Sequence, residues 1–234
     1  MKKTCSALIA ILLMASTSFA EAQDKKKIEG RLQNAGQVIG EVLKMPDTIP
    51  QHVLDKAKCV VVIPSVLKAA FVVGGSYGRG AMVCRTGEDF TGAWGAPSMM
   101  VMEGGSIGLQ LGAGATDFVF LIMNNRGATS LLSSKVKLGG DVAAAAGPVG
   151  REAEADTDAY MRAEILTYSR SRGLFAGVSV AGSTLHADNE ANQALYDRKI
   201  SVREIVLGPP PETPEAAEQL IALLEKASPH AFKA

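Results

Sequence analysis

The segment Gly74-Gly75-Ser76-Tyr77-Gly78 matches G-x-S-x-G, the pattern that places a nucleophilic serine on a sharp turn in α/β-hydrolases. In that chemistry Ser76 attacks an acyl carbon, and an acid such as Asp141 and a base such as His186 follow in the chain. The context argues against it, because Gly78-Arg79-Gly80 leads into another strand-like run instead of a helix. A glycine-rich β-bend is therefore the favoured interpretation, and a serine hydrolase using Ser76 is a remote alternative.

Other motifs with catalytic or ligand-binding chemistry fail on their surroundings. Ser134-Lys135-Val136-Lys137 fits S-x-x-K, but Leu138-Gly139-Gly140 follows where that motif needs a helix. The sequence has no G-x-x-x-x-G-K-[ST] phosphate loop. His52, His186 and His230 lack metal-ligand spacing. The sequence thus predicts a protein that is not an enzyme and that needs no metal or cofactor.

The N-terminus has the layout of a secretory signal peptide. Met-Lys-Lys precedes an apolar run over 7–14, and Ser18-Phe19-Ala20 forms a small-x-small cleavage site, so residues 1–20 are assigned to the signal. Without Lys2 and Lys3, the 24 basic residues fall to 22, against 24 acidic residues. This balance argues against a nucleic-acid partner. We expect an exported protein, periplasmic or envelope-associated.

Two cysteines, Cys59 and Cys84, remain after the predicted cleavage site. Both lie in apolar, strand-like runs, and an exported protein folds where disulfides form. A bridge between adjacent strands and a pair of buried thiols both fit this pattern, and spacing alone does not decide between them.

The distribution of apolar residues and glycines along the chain predicts its helices and strands. Apolar residues recur at helical spacing over 24–45, before Pro46, and a short second helix runs to Ala57. Strand-like runs begin at Cys59, and half of the 24 glycines fall within 72–115. Further strands are expected within 142–149 and 173–182, and helices over 188–196, 202–206 and 215–227.

These elements predict an α+β fold, in which a strongly bent, glycine-rich antiparallel sheet of barrel-like shape has helices at the N- and C-terminal ends. The expected organisation is a signal peptide over 1–20, one domain over 24–207, and a proline-rich linker with a helical tail over 208–234. Whether the tail is ordered is left open.

Basic side chains are the remaining candidates for ligand contact. Lys25, Lys26, Lys27 and Arg31 open the first helix, whose apolar stripe suits either a membrane surface or packing on the sheet. Packing on the sheet is the favoured interpretation. Other cations recur near glycine bends, and four are selected for contact with an anionic head group: Lys68, Arg79, Arg151 and Arg172.

A series of sequence blocks resembles the SYLF domain family. The blocks occur in order across roughly 30–207: V-V-I-P at 61–64, K-A-A-F at 68–71, G-G-S-Y-G-R-G at 74–80, G-S-I-G-L-Q-L-G at 105–112, T-D at 116–117, K-L-G-G-D at 137–141, A-G-P-V-G-R at 146–151 and Y-S-R-S-R-G-L-F-A-G-V at 168–178, followed by Asn192 and Tyr196. The resemblance implies a lipid-binding module whose eukaryotic members bind phosphoinositide membranes and, in yeast, actin filaments. It also implies that the segment before the core, here 25–44, contributes to membrane contact.

We therefore expect a non-catalytic protein of the bacterial envelope that binds anionic phospholipid, with actin a partner only by family analogy. The alternative is a structural envelope protein that binds a protein or peptidoglycan through an apolar patch or a sheet edge. The sequence leaves open which lipid binds, whether a basic surface or an apolar groove receives it, and whether the protein oligomerises.

Overall fold

The computed structural model describes residues 23–70, 73–107, 114–150, 163–171 and 174–229. The first helix, α1, spans 23–42, and α2 spans Gln51–Lys56. The apolar residues spaced along α1 are all buried: Ile28, Leu32, Ala35, Val38, Ile39 and Val42. The predicted stripe therefore packs into the core. Among the described residues, no helix is both long and apolar enough to cross a bilayer.

Nine strands form one curled, half-barrel sheet. They are β1 (Cys59–Ala70), β2 (Val73–Cys84), β3 (Ser98–Ile107), β4 (Gly114–Ile122), β5 (Val136–Lys137), β6 (Ala144–Ala146), β7 (Ile165–Ser171), β8 (Leu174–Gly177) and β9 (Thr184–Ala187). Eight follow the order β5-β9-β3-β2-β1-β4-β7-β6, and β8 pairs with β7. The pairings are antiparallel except that of β6 with β7, which is parallel. The α+β prediction with a bent sheet is confirmed, with this one parallel pair as a departure.

Helices pack against both faces of the sheet. On one face, residues such as Val60, Val83 and Leu121 pack against α1, α2 and the C-terminal helix described below. On the other, residues such as Val61 and Phe120 pack against a helix that the sequence did not predict, α3 (Asn125–Ser133). Because β-strand side chains alternate between faces, apolar runs in β1 and β4 serve both cores.

A bulge in β1 bends the sheet. The pairing register of β1 shifts between Val62 and Leu67, and Ser65 takes a left-handed backbone with φ 51°. The neighbouring strand must be glycine there, because a Cβ on Gly80 would lie 1.9 Å from the Val62 carbonyl oxygen. The Ser65 amide donates to Asp117 Oδ1 at 2.8 Å, which holds the bulge in place.

Cys59 and Cys84 face each other in the β1–β2 pair and form a disulfide. The open choice between a bridge and two thiols is therefore decided in favour of the bridge. Both residues are buried in the same core as Ile63 and Phe120. The bond joins β1 and β2 at the opposite end of the sheet from their connection at 71–72.

The C-terminal segment packs against the rest of the molecule. Helices α4 (Asn189–Leu195) and α5 (Val202–Leu207) precede a 3₁₀ turn (Glu215–Ala217) and α6 (Glu218–Ala227). Leu220 and Leu224 of α6 are buried, and a Cβ on Gly36 of α1 would lie 3.3 Å from the Leu220 nitrogen. The predicted helices of this region are thus present, and the tail is ordered and docked through residue 229.

Arg85 secures the end of α6. Its guanidinium donates to the Ser228 carbonyl at 3.0 Å and to Ser228 Oγ at 2.6 Å, and its Cζ lies 4.2 Å from the centroid of the Trp94 ring. Burial lowers the pKa of Arg85 from its ordinary value, while the negative charges of Glu225 and Asp55 oppose that shift. A buried cation here is therefore satisfied mainly by hydrogen bonds and ring stacking.

Candidate functional site

The ends of several strands lie together at one end of the sheet. The β1–β2 and β7–β8 pairs are antiparallel hairpins, whereas β3 and β4 do not pair with each other and flank the β1–β2 pair on either side. Because β2 pairs antiparallel with β3, β1 with β4 and β4 with β7, the last residues of β1, β3 and β7 lie at the same end of the sheet. We call the described strand residues there, 66–70, 73–79, 104–107, 114–116, 171 and 174–177, the hairpin end. The connections 71–72, 108–113 and 172–173 lie outside the described residues.

The hairpin end carries the exposed large hydrophobic residues. Among the side chains that the structure describes, those of Leu67, Tyr77 and Leu174 are exposed by 65%, 45% and 77%. Leu67 and Tyr77 are direct cross-strand partners. The same strands are buried on both faces toward the disulfide, so exposure begins where the helices stop covering the sheet.

Arg79 lies beside this apolar pair and is held by two partners. Its Nε donates to the Tyr77 hydroxyl at 2.5 Å and lies 3.6 Å from Asp188 Oδ2. The hydrogen bond to Tyr77 raises the pKa of Arg79 above its ordinary value; desolvation opposes this, and the charges of Asp188 and Glu190 add to it. The side chain of Arg79 remains 39% exposed. A fixed, permanently charged guanidinium on an open surface is suited to an anionic group.

Asp188 is a buried carboxylate that serves two structural purposes. It is 7% exposed, and its Oδ1 accepts a hydrogen bond from the Ala191 amide at the start of α4. Its Oδ2 has no hydrogen-bond partner and faces Arg79. Asn192 anchors the same helix by accepting from the Met99 amide at 2.7 Å. Helix α4 therefore positions the charge that holds Arg79.

Charge is unevenly divided between the hairpins and the rest of the chain. The sequences over 65–80, 104–116 and 171–187, which include the hairpin end, contain no Asp or Glu and contain Lys68, Arg79 and Arg172. The remaining sequence therefore holds 21 of the 24 basic residues and all 24 acidic residues. These three segments thus contain only basic charges in a nearly neutral protein.

Acidic residues begin just outside this zone. Glu103 pairs with Tyr77 across β3 and β2, and its carboxylate contacts Lys135 Nζ and lies 3.7 Å from His186 Nε2. The hydrogen bond from Lys135 lowers the pKa of Glu103; desolvation opposes this shift, and His186 adds to it. Asp117 pairs with Arg170, which also pairs with Glu41, so one cation faces two carboxylates there. Glu103 is therefore compensated locally, whereas Asp117 shares its cation.

The four N-terminal cations are placed elsewhere. Lys25 pairs with Asp197 at 2.5 Å and Lys27 with Asp24 at 3.0 Å, while Lys26 is exposed and Arg31 is partly buried. A groove of about 760 Å³ beside Lys25 is lined mainly by polar and charged residues, Asp197 among them. Since the apolar stripe of α1 is buried, this helix presents basic side chains at the surface but does not present its apolar stripe.

The other four predicted cations are only partly described. Arg79 is placed as above, and Lys68 lies on β1, where its backbone pairs with Ser76 and Gly114. Arg172 follows the last residue of β7 in the chain, and both it and Arg151 lie outside the described residues. The structure thus assigns Lys68 and Arg79 to the hairpin end and separates them from the N-terminal group.

The serine-hydrolase alternative needs His186 within hydrogen-bond reach of Ser76, and the geometry contradicts it. Ser76 pairs with Gly104 and His186 with Val101, which places them three residues apart along β3, or roughly 10 Å. Asp141 accepts a hydrogen bond from the Lys137 amide and closes a turn. In the described part of the chain, no group of three His, Cys, Asp or Glu side chains is placed to hold a metal ion.

Sequence reasoning missed Leu67, Tyr77, Leu174 and Asp188. Apolar residues in a strand normally indicate core, and strand alternation does not reveal where a covering helix ends. One signal was present: three segments without an acidic residue, 65–80, 104–116 and 171–187, contain the strand ends that lie together in the sheet.

The chain is an α+β domain in which helices pack on a strongly curled half-barrel sheet. The Ysc84 family, described as Las17-binding protein actin regulator, matches residues 103–227, more than half of the chain. The chain therefore belongs to the Ysc84 family, the SYLF family that its sequence blocks resemble.

Similar proteins come from fungi and mammals. Protein YSC84 of Saccharomyces cerevisiae is 38% identical over 188 residues, covering 79% of this chain and 39% of its own length. LAS seventeen-binding protein 3 of the same yeast is 38% identical over 213 residues, covering 88% of this chain and 44% of its own. SH3 domain-containing YSC84-like protein 1 of Homo sapiens is 36% identical over 182 residues, covering 77% and 52%. The chain thus spans about two fifths to one half of these relatives.

Proposed function

We propose that this protein is a non-catalytic lipid-binding module of the bacterial envelope that attaches to anionic phospholipid surfaces through its hairpin end. The observation that carries the proposal is the coincidence of three features at one place. These are the exposed apolar residues, the fixed guanidinium of Arg79, and the absence of acidic residues from the sequences over 65–80, 104–116 and 171–187.

The charges set the expected strength of attachment. Each basic residue near an anionic membrane contributes on the order of 1 kcal/mol, so Lys68, Arg79 and Arg172 together supply only weak binding. Salt weakens this attraction because the Debye length shortens from about 10 Å at 0.1 M to about 3 Å at 1 M ionic strength. The N-terminal cations contribute less, since Lys25 and Lys27 face carboxylates and, unlike Arg79, lie on a helix whose apolar stripe is buried.

The test is co-sedimentation of the chain from residue 21 onward with vesicles of neutral phospholipid and with vesicles that also contain anionic phospholipid, at low and high salt. We expect binding that requires the anionic lipid and decreases at high salt. A protein that stays in the supernatant with both vesicle types at low salt contradicts the proposal.

A second candidate is attachment to a protein in the envelope, through the same exposed residues. It is favoured by the exposure of Leu67 and Tyr77 and by the name of one relative, LAS seventeen-binding protein 3. Actin is included only by family analogy and is tested by filament co-sedimentation. Protein binding that is lost on mutation of the hairpin end, without any vesicle binding, supports this candidate instead.

A further inference from the structure

We infer that the hairpin end penetrates the membrane surface, with Leu67, Tyr77 and Leu174 entering the boundary between head groups and acyl chains. This inference rests on the proposed lipid binding and specifies its mode, since charge attraction alone leaves a protein on top of the head groups. Interfacial elements generally bury their apolar side chains about 5–10 Å below that level.

The geometry of the hairpins favours a lipid surface as the occupant. Leu67 on β1 and Leu174 on β8 are separated by β4 and β7, which makes three strand spacings, or about 14 Å. The pairing registers also place the Leu67 and Leu174 side chains on opposite faces of the sheet. The apolar contacts are therefore separate projections from both faces of the hairpin end and not one continuous patch. A fluid acyl-chain boundary accommodates separated projections without requiring a matching partner surface.

The chemistry around these projections is also interfacial. Tyr77 combines an apolar ring with a hydroxyl that accepts a hydrogen bond from Arg79. Its polar end therefore contacts a cation, while the residue as a whole is 45% exposed. Tyrosine and arginine or lysine commonly share the interfacial layer, where the cation meets phosphate and the ring meets hydrocarbon. Gly75 and Gly78 on the same strand add no polar side chains that would have to be desolvated.

Penetration predicts a direct spectroscopic signal. In Leu174→Trp, the new indole should move to shorter emission wavelength on anionic vesicles and be quenched by lipids brominated near the head of the acyl chain. The matched control is Thr91→Trp, an equally simple change at an exposed residue in the loop that follows β2 at the disulfide end. It should show neither effect. Native Trp94 is buried and contributes a common background.

Penetration also predicts a salt-insensitive share of the affinity. We expect Leu67→Ser with Leu174→Ser to lower vesicle affinity by at least about tenfold at every salt concentration, because both changes remove apolar transfer and leave the charges intact. Since both leucines are exposed, the thermal midpoint should be nearly unchanged, which excludes misfolding as the cause.

The outcomes separate the inference from the function on which it rests. Vesicle binding by the wild type, combined with no loss in the double serine variant and no quenching of Leu174→Trp, overturns penetration and leaves charge-based lipid binding intact. No binding of the wild type to any vesicle overturns both. A further outcome is that the wild type self-associates without binding vesicles and that the double serine variant does not self-associate. This result assigns the surface to a second copy of the chain and also overturns the inference.

Discussion

Gly80 on β2 lies so close to the carbonyl of Val62 on β1 that a Cβ on Gly80 would stand 1.9 Å from that oxygen. The contact occurs where the register of β1 shifts and the strand bends. The glycine at position 80 is therefore a steric requirement of the bulge.

Substitution at this contact should be severely destabilising. We expect Gly80→Ala to lower the free energy of unfolding by at least about 3 kcal/mol, because backbone atoms must move to admit the methyl group. Gly30→Ala is the control, since nothing lies within 4 Å of its added Cβ and it sits in α1. It should stabilise by roughly 0.5–1 kcal/mol. Urea unfolding of both variants checks the prediction, and a mild effect at Gly80 contradicts the steric account.

Removal of the disulfide should cost stability without changing the site. The bridge closes a loop across a sequence separation of 25, for which the chain-entropy treatment gives about 3.5 kcal/mol. We expect Cys59→Ala with Cys84→Ala to unfold at lower urea concentration but to bind anionic vesicles as the wild type does at low temperature. An unchanged midpoint would show that the bridge adds nothing to stability.

Release of Arg79 from Asp188 should strengthen lipid binding. Asp188→Asn keeps an N-cap side chain for α4 but removes the negative charge 3.6 Å from the Arg79 guanidinium. We expect vesicle affinity at low salt to rise about fivefold, the equivalent of one additional basic residue at the membrane. Titration with anionic vesicles measures the change. Weaker or unchanged binding by a normally folded variant contradicts the placement of Arg79 at the membrane.

The Glu103–Lys135 pair should contribute to stability only at higher pH. The pKa of Glu103 is lowered below its ordinary 4.5, so the ionised form is stabilised by folding. This contribution is complete above pH 4.5 and is lost as pH falls through the lower pKa of the folded state. Since the pair is exposed, we expect Glu103→Gln to cost no more than about 1 kcal/mol at pH 7. The difference from wild type should vanish in acid, and a difference that is constant with pH contradicts the assignment.

The parts of the fold that depend on local pattern were predictable. The stripe of α1, the short helices α4 and α5, and the β-branched runs of β1 and β4 each carry their own periodic signal. By contrast, α3 contains Gly127 and several polar residues, and its glycine is required because a Cβ would lie 3.1 Å from the Glu164 carbonyl oxygen. That requirement arises from tertiary packing and is not encoded in a local pattern.

The candidate site was harder to predict because it depends on which residues the fold leaves uncovered. The pairing of Lys25 with Asp197 joins residues far apart in the chain, so the partner of the lysine is not visible in the sequence. Leu67 lies in an apolar strand, and its exposure depends on tertiary packing that the strand pattern does not encode. Arg79 was selected as a cation beside a glycine bend, but its support by Asp188 follows only from the packing of α4 on β3.

The most direct test of the central claim compares two triple variants that remove the same charge from different surfaces. One carries Lys68→Gln, Arg79→Gln and Arg172→Gln in the hairpins. Its matched control carries Lys25→Gln, Lys26→Gln and Lys27→Gln at the start of α1. Affinity for anionic vesicles at low salt should fall by about tenfold or more in the first and by only a few-fold in the second. Equal losses, or a larger loss in the N-terminal variant, would contradict attachment through the hairpin end.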